Sequence, residues 1–263
     1  MNRVDGRLSF LVMLAALLLP AGSLVYALTN TGSSASPAFD GNHISPDLGG
    51  PRLLYAPSQG DDAGYRAAMA AQVDGTCDYF DARVATPPIA LLHSYDCVMT
   101  WADYPYFNNV AFGNSLADFV DGGGRAVLGA FCAYTSGNYL SGRIMTETSR
   151  YCPVTGGFNH FSLAMWDGSD PATCVHVRIG SYGSTFRDYL TLISGSVYGR
   201  FTDGEIANAV NTPYNDVVYA NGAAGFPAGP VGQDAGRVAN ACFCAGPGAT
   251  ESGTWGSIKA MYR

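Results

Sequence analysis

Residues 95–132 read YDCVMTWADYPYFNNVAFGNSLADFVDGGGRAVLGAFC, and this stretch decides the fold class. Its apolar opening, Tyr95 to Trp101, does not alternate with period two, which predicts a strand buried on both faces. Val110 to Val120 then sets Val110, Leu116, Phe119 and Val120 on one side of a helix. Asp121-Gly-Gly-Gly124 ends that helix, and Ala126 to Phe131 reads as the next buried strand. The glycine run is not a phosphate cradle, because such loops lie between a strand and the helix that follows, and this one lies between a helix and a strand. Strands and helices alternating at this short spacing predict a parallel sheet covered on both faces.

The pattern continues on either side. Arg52 to Ala56 is a short apolar run punctuated by Pro57-Ser-Gln-Gly60, and a helix follows from an N-cap at Asp61 or Asp62 to Gln72. Thr76 to Asp81 reads as a strand, and Pro87-Pro88 opens a helix that runs through His93. Residues 133–170, rich in Gly, Ser, Thr and Tyr, read as a long insertion or loop region. Val197 to Phe201 and Glu205 to Asn211 fit a β-hairpin, Asp216 to Ala220 a core strand, and Asn221 to Gly225 a turn. Gln233 to Ala245 is expected to close the fold as a helix, and no internal repeat is visible.

The amino terminus stands apart. Arg3 and Arg7 precede an apolar run from Leu8 to Leu19, then Pro20-Ala-Gly22 and a small-residue site at Val25-Tyr-Ala27. This is the layout of a secretory signal peptide over residues 1–27, and its apolar run falls short of the roughly 20 residues a membrane span needs. An uncleaved anchor is the alternative. Residues 28–50 are rich in Ser, Gly and Pro and read as a flexible tether, which leaves 51–263 as one α/β domain. The protein is therefore expected to be secreted, periplasmic or held in the cell envelope, with no transmembrane span once the signal is removed.

The 263-residue chain carries a formal charge of −7, and its 14 basic residues form no cluster, so a nucleic-acid partner is excluded. All seven cysteines follow residue 27 and would meet an oxidising compartment, where disulfides are permitted. Spacing does not choose among the pairings, but an odd count leaves at least one thiol unpaired or bonded to another molecule. Cys242 and Cys244, two apart in an expected helix, point about 200° from each other and should not pair. No CxxC and no His/Cys pair at zinc spacing occurs, so neither a metal nor a cofactor is expected.

Residues 95–132 resemble exported bacterial domains of the class I glutamine amidotransferase-like superfamily, which has a flavodoxin-like fold. In those domains a strand ending in Trp-Ser/Ala-Asn/Asp-Tyr precedes a helix that ends in an Asp-Ala/Gly-Gly-Gly turn. Gly199-Arg-Phe-Thr-Asp-Gly204 and Val217-Val-Tyr-Ala-Asn-Gly222 follow in matching order, so the resemblance spans residues 51–245. It implies three layers around a doubly wound, mostly parallel sheet, with an irregular insertion after the fourth strand. It implies little about activity, because a shared fold does not fix function.

Ligands of doubly wound sheets bind beyond the carboxyl ends of the strands, where strand order reverses. That rule selects Ser58 to Asp61, Trp101 to Tyr104, and Cys132 to Thr135. Catalytic members of the superfamily hold a cysteine nucleophile in the turn after a strand, which makes Cys132 the candidate nucleophile; His160, in the irregular insertion, is the candidate base if that segment folds over the strand ends. The resemblance breaks here: Phe131 and Ala133 replace the flanking glycines, and the late His-x-Glu pair of glutaminases is missing, since Val177 and Arg178 follow His176. Glutaminase activity is therefore not expected, and no Gly-x-Ser-x-Gly elbow points to a serine hydrolase. Asp103 with Trp101, Tyr104 and Tyr134 suits a carbohydrate or other small polar ligand through stacking and hydrogen bonding, and Ser58 and Asp61 are expected beside it. The leading expectation is a non-catalytic binding or accessory protein. A hydrolase using Cys132 and a structural envelope component are the alternatives.

Overall fold

The computed structural model describes residues 50–135, 137–166, 182–222 and Cys242. The chain divides into Met1–Pro46 and Asp47–Arg263, and all that follows concerns the second unit. The expected signal and tether (but for residue 50), His43, Cys174, His176, Cys244 and, apart from Cys242, the closing helix lie outside the described residues.

The order is β1 (Arg52–Tyr55), α1 (Ala63–Val73), β2 (Thr76–Tyr79), α2 (Ile89–Leu92), β3 (Cys97–Thr100), α3 (Asn109–Asp121) and β4 (Arg125–Gly129). Then come α4 (Arg143–Thr146), β5 (Val154–Trp166), β6 (Tyr182–Leu192), β7 (Ser196–Arg200), β8 (Ile206–Val210) and β9 (Val217–Ala220). Seven strands form one sheet in the order β2-β1-β3-β4-β9-β8-β7. The first five run parallel, and β8 and β7 return antiparallel at one edge. The five parallel strands thus follow the 2-1-3-4-5 order, with its reversal between β1 and β3.

Local chemistry explains the boundaries. Asp62 caps α1 by accepting a hydrogen bond from the Tyr65 N–H, and Asn108 caps α3 through the Ala111 N–H. Past α3, Gly123 takes a φ of +93° that side-chain-bearing residues rarely adopt. Alternation along the strands then sorts the core into two clusters. Leu54, Val98, Ala126 and Leu128 pack with Leu92 of α2 and Phe112, Leu116 and Phe119 of α3. Leu53, Tyr55, Met99 and Val127 pack with Tyr65 and Met69 of α1. All of β3 and β9 is buried, which is why neither reads with period two.

Residues 133–170 are not the loop region their composition suggests. Their described residues hold α4 and β5, the first strand of a long antiparallel ribbon in which β5 pairs with β6. Two register shifts, between Gly156 and Asn159 and between Ser162 and Met165, break the alternation that would have announced β5.

Cys97 of β3 and Cys242 form a disulfide across 145 residues of sequence, with Cα atoms 5.6 Å apart. Of the five described cysteines, the remaining three, Cys77, Cys132 and Cys152, are free and buried. Among those residues, no helix is long and apolar enough to cross a membrane.

Candidate functional site

The carboxyl ends of β1, β3 and β4 are tied into one floor. Ser58 is fully buried; its N–H and hydroxyl both donate to the Trp101 carbonyl, and its own oxygens receive the Tyr104 N–H. Trp101 donates its indole N–H to the Tyr55 hydroxyl at 2.9 Å. Gly129 permits close packing of β4 on β3, since a Cβ there would lie 2.8 Å from Cβ of Trp101.

The turn after β4 decides what faces outward. Phe131 adopts φ +68°, an unusual value for a bulky residue, and Cys132 N–H donates back to the Gly129 carbonyl. This elbow is held from the ribbon and from the neighbouring strand: the Phe131 N–H donates to Asp188 Oδ2 of β6 at 2.6 Å, and the Ala133 N–H donates to the Tyr219 hydroxyl of β9. Tyr219 in turn donates to the same Asp188 oxygen, while Asp188 Oδ1 is buried without a partner. Burial raises the Asp188 carboxyl to about 6, against the lowering effect of those two hydrogen bonds.

Asn221, at the end of β9, clamps the β5–β6 ribbon over this floor. Its Oδ1 accepts from the Asp188 N–H, and its Nδ2 donates to the carbonyls of Asp188 and Ile206. Asn159 stands opposite Asp188 in the ribbon, and Phe161 opposite Phe186, so these four share one face. Between ribbon and floor lies a cleft of about 280 Å³. Four aromatic residues line it, Phe131, Tyr134 and Phe186 with the fully buried Trp101 at its base, and Ala102 lies beside them. Asp103, Asn138 and Asn159 supply its polar groups. Burial raises the Asp103 carboxyl above its ordinary value, and Arg83 pulls it the other way.

No family model matches the chain, and no curated protein matches it. Among solved structures it is similar to a cytoplasmic protein from Salmonella typhimurium LT2, with 14% identity and a TM-score of 0.54 over 73% of this chain and 98% of that one. The two share a fold. A ThuA-like protein from Bacteroides uniformis ATCC 8492 aligns over 78% of this chain and 94% of its own, at 13% identity and a TM-score of 0.49. An exo-β-1,4-mannosidase from Opitutaceae bacterium strain TAV5 aligns over 75% of this chain and 36% of its own, at 10% identity and 0.46.

Three of the residues expected at the site line the cleft: Trp101, Asp103 and Tyr134. Tyr104, beside them in sequence, is half exposed and stands near Arg83. Ser58 lies beneath the floor as a strut. Asp61 pairs with Arg66 at 2.7 Å, and that guanidinium lowers its carboxyl pKa. Cys132 lies fully buried below the elbow, 3.6 Å from the Tyr106 hydroxyl, and donates to the Thr100 carbonyl. Burial pushes its thiol far above the ordinary range.

His160 points to the other face of the ribbon. It meets Glu205 at 2.9 Å and stacks on Tyr189 with ring centres 3.9 Å apart. Arg187, its partner in register, is fully buried beside Asp203 at 2.9 Å. No hydrogen bond joins His160 to Cys132. Phe131, Asn138, Asn159 and Phe186 are cleft residues that the sequence did not single out. The rule of strand carboxyl ends reaches as far as Phe131, but nothing in the sequence marks the ribbon residues. Among the described residues, no His, Cys, Asp or Glu cluster is arranged to hold a metal ion.

Proposed function

We propose that this is an exported, three-layer α/β domain of the glutamine amidotransferase-like type that binds a small polar ligand without cleaving it. One observation carries the reading. Phe131 occupies the outward position of the elbow and turns its ring into the cleft, while Cys132 sits one residue later in the core. A buried thiol with none of the described histidines on it has neither the access nor, among the described residues, the base that a nucleophile needs. The groups left facing the cleft are rings, amides and one carboxylate, which suit recognition. The signal-like amino terminus and the tether support placement outside the cytoplasm.

The test is a titration of the exported chain with small sugars, polyols and organic ions, followed by amide chemical shifts. Shifts should gather on residues 101–103, 131–138, 159 and 186, and Cys132→Ala should leave them unchanged, with no solute converted. Turnover of any solute that Cys132→Ala abolishes would overturn the reading.

A further inference from the structure

Building on that reading, we infer that the cleft takes a small organic cation of the methylated-ammonium class, enclosed by Phe131, Tyr134 and Phe186 above the buried Trp101 and balanced by Asp103. A ring face carries the negative part of its quadrupole, so several rings around one small space favour a diffuse cation over an anion. Trp101, itself fully buried, forms the base, with its ring centre 6.1 Å from that of Phe131. Asp103 is the one carboxylate among the described lining residues, and those residues include no Lys or Arg.

Among the described residues, the guanidinium that acts on Asp103 is that of Arg83, and it is already engaged. Arg83 donates to both oxygens of Asp81, at 2.8 and 2.5 Å. The Asp103 carboxylate is thus partly withdrawn from water and shares the Arg83 charge with Asp81, which leaves it unsaturated toward an arriving cation. One amide is partly committed as a donor: Asn138 spends one of its two Nδ2 hydrogens on the Asp103 carbonyl at 2.8 Å, which leaves its oxygen free to accept. An anionic ligand would meet Asp103 unpaired. The volume of about 280 Å³ lies just below the roughly 300–1,000 Å³ of pockets for drug-sized ligands, so the guest has few heavy atoms.

The decisive comparison sets choline against its uncharged carbon isostere, in which a tert-butyl group replaces the trimethylammonium. Glycerol and glucose accompany them, and each is titrated calorimetrically into the full chain. Choline should bind more tightly than the isostere by about tenfold or more, and less tightly as salt is raised. Asp103→Asn should remove about tenfold of the choline affinity, and Asp103→Glu, which keeps the charge, should retain most of it. Near-ultraviolet circular dichroism checks that both variants fold. Equal binding of choline and isostere overturns the cation while leaving the cleft a binding site, as does binding of the polyols alone or an Asp103→Asn variant with full choline affinity. Silence from every probe overturns the binding reading itself.

Discussion

Replacing Asp188 by asparagine isolates the physics of the elbow. The carboxyl is fully buried, accepts the Phe131 N–H and the Tyr219 hydroxyl on one oxygen, and leaves the other without a partner. Burial raises it from 3.8 to about 6. That displacement corresponds to about 3 kcal/mol between the two protonation states, an upper bound on its effect on stability. Because the folded state holds the proton more tightly than the unfolded chain, this stability is fully present below about pH 4. It is lost as pH rises toward about 6, and the loss is complete above that. An asparagine oxygen accepts the same two hydrogen bonds and never ionises.

Urea unfolding of Asp188→Asn and the parent at intervals from pH 4 to pH 8 reads the difference directly. Asp61, Asp81, Asp121 and Asp203 are lowered by their partners, so their contribution is lost on acidification below about 4, outside this window. The variant should match the parent near pH 4 and exceed it by up to about 3 kcal/mol above pH 6. A variant less stable than the parent at pH 7, with the same pH profile, would show that the carboxylate is ionised and well compensated. The account of the elbow would then be wrong.

Two further predictions concern the supports of the site. Reducing Cys97–Cys242, or replacing Cys97 by alanine, should lower stability by up to about 5 kcal/mol, from the entropy of closing a loop of 145 residues; non-reducing peptide mapping and denaturant unfolding check both halves. Asn221→Ala strands the Asp188 N–H and two carbonyls in the interior. It should cost on the order of 2–4 kcal/mol and speed hydrogen exchange in β6 before the parallel sheet, a pattern that global destabilisation alone would not give.

Much of this protein is local, and what is local was legible. Asp62 and Asn108 bond to amides three residues on, so the starts of α1 and α3 can be read from a few adjacent residues. The buried runs of β3 and β4 announce a sheet covered on both sides, and from that sheet the ends of β1, β3 and β4 follow as the place for a site. Trp101, Asp103 and Tyr134 were reachable by that route. What the sequence withheld depends on parity and on distant partners. Whether Phe131 or Cys132 faces the cleft is settled by a single φ of +68°, held by Asp188 from 57 residues away. Whether Asn159 or His160 faces it is settled by the register of β5 against β6, in which a slip of one residue exchanges the two faces. Cysteine and histidine carry the more suggestive chemistry, yet the fold turns both away and leaves the cleft to rings, amides and Asp103. Sequence placed the site at the strand ends; only tertiary contacts, which fix backbone parity across long separations, decided which side chains enter it.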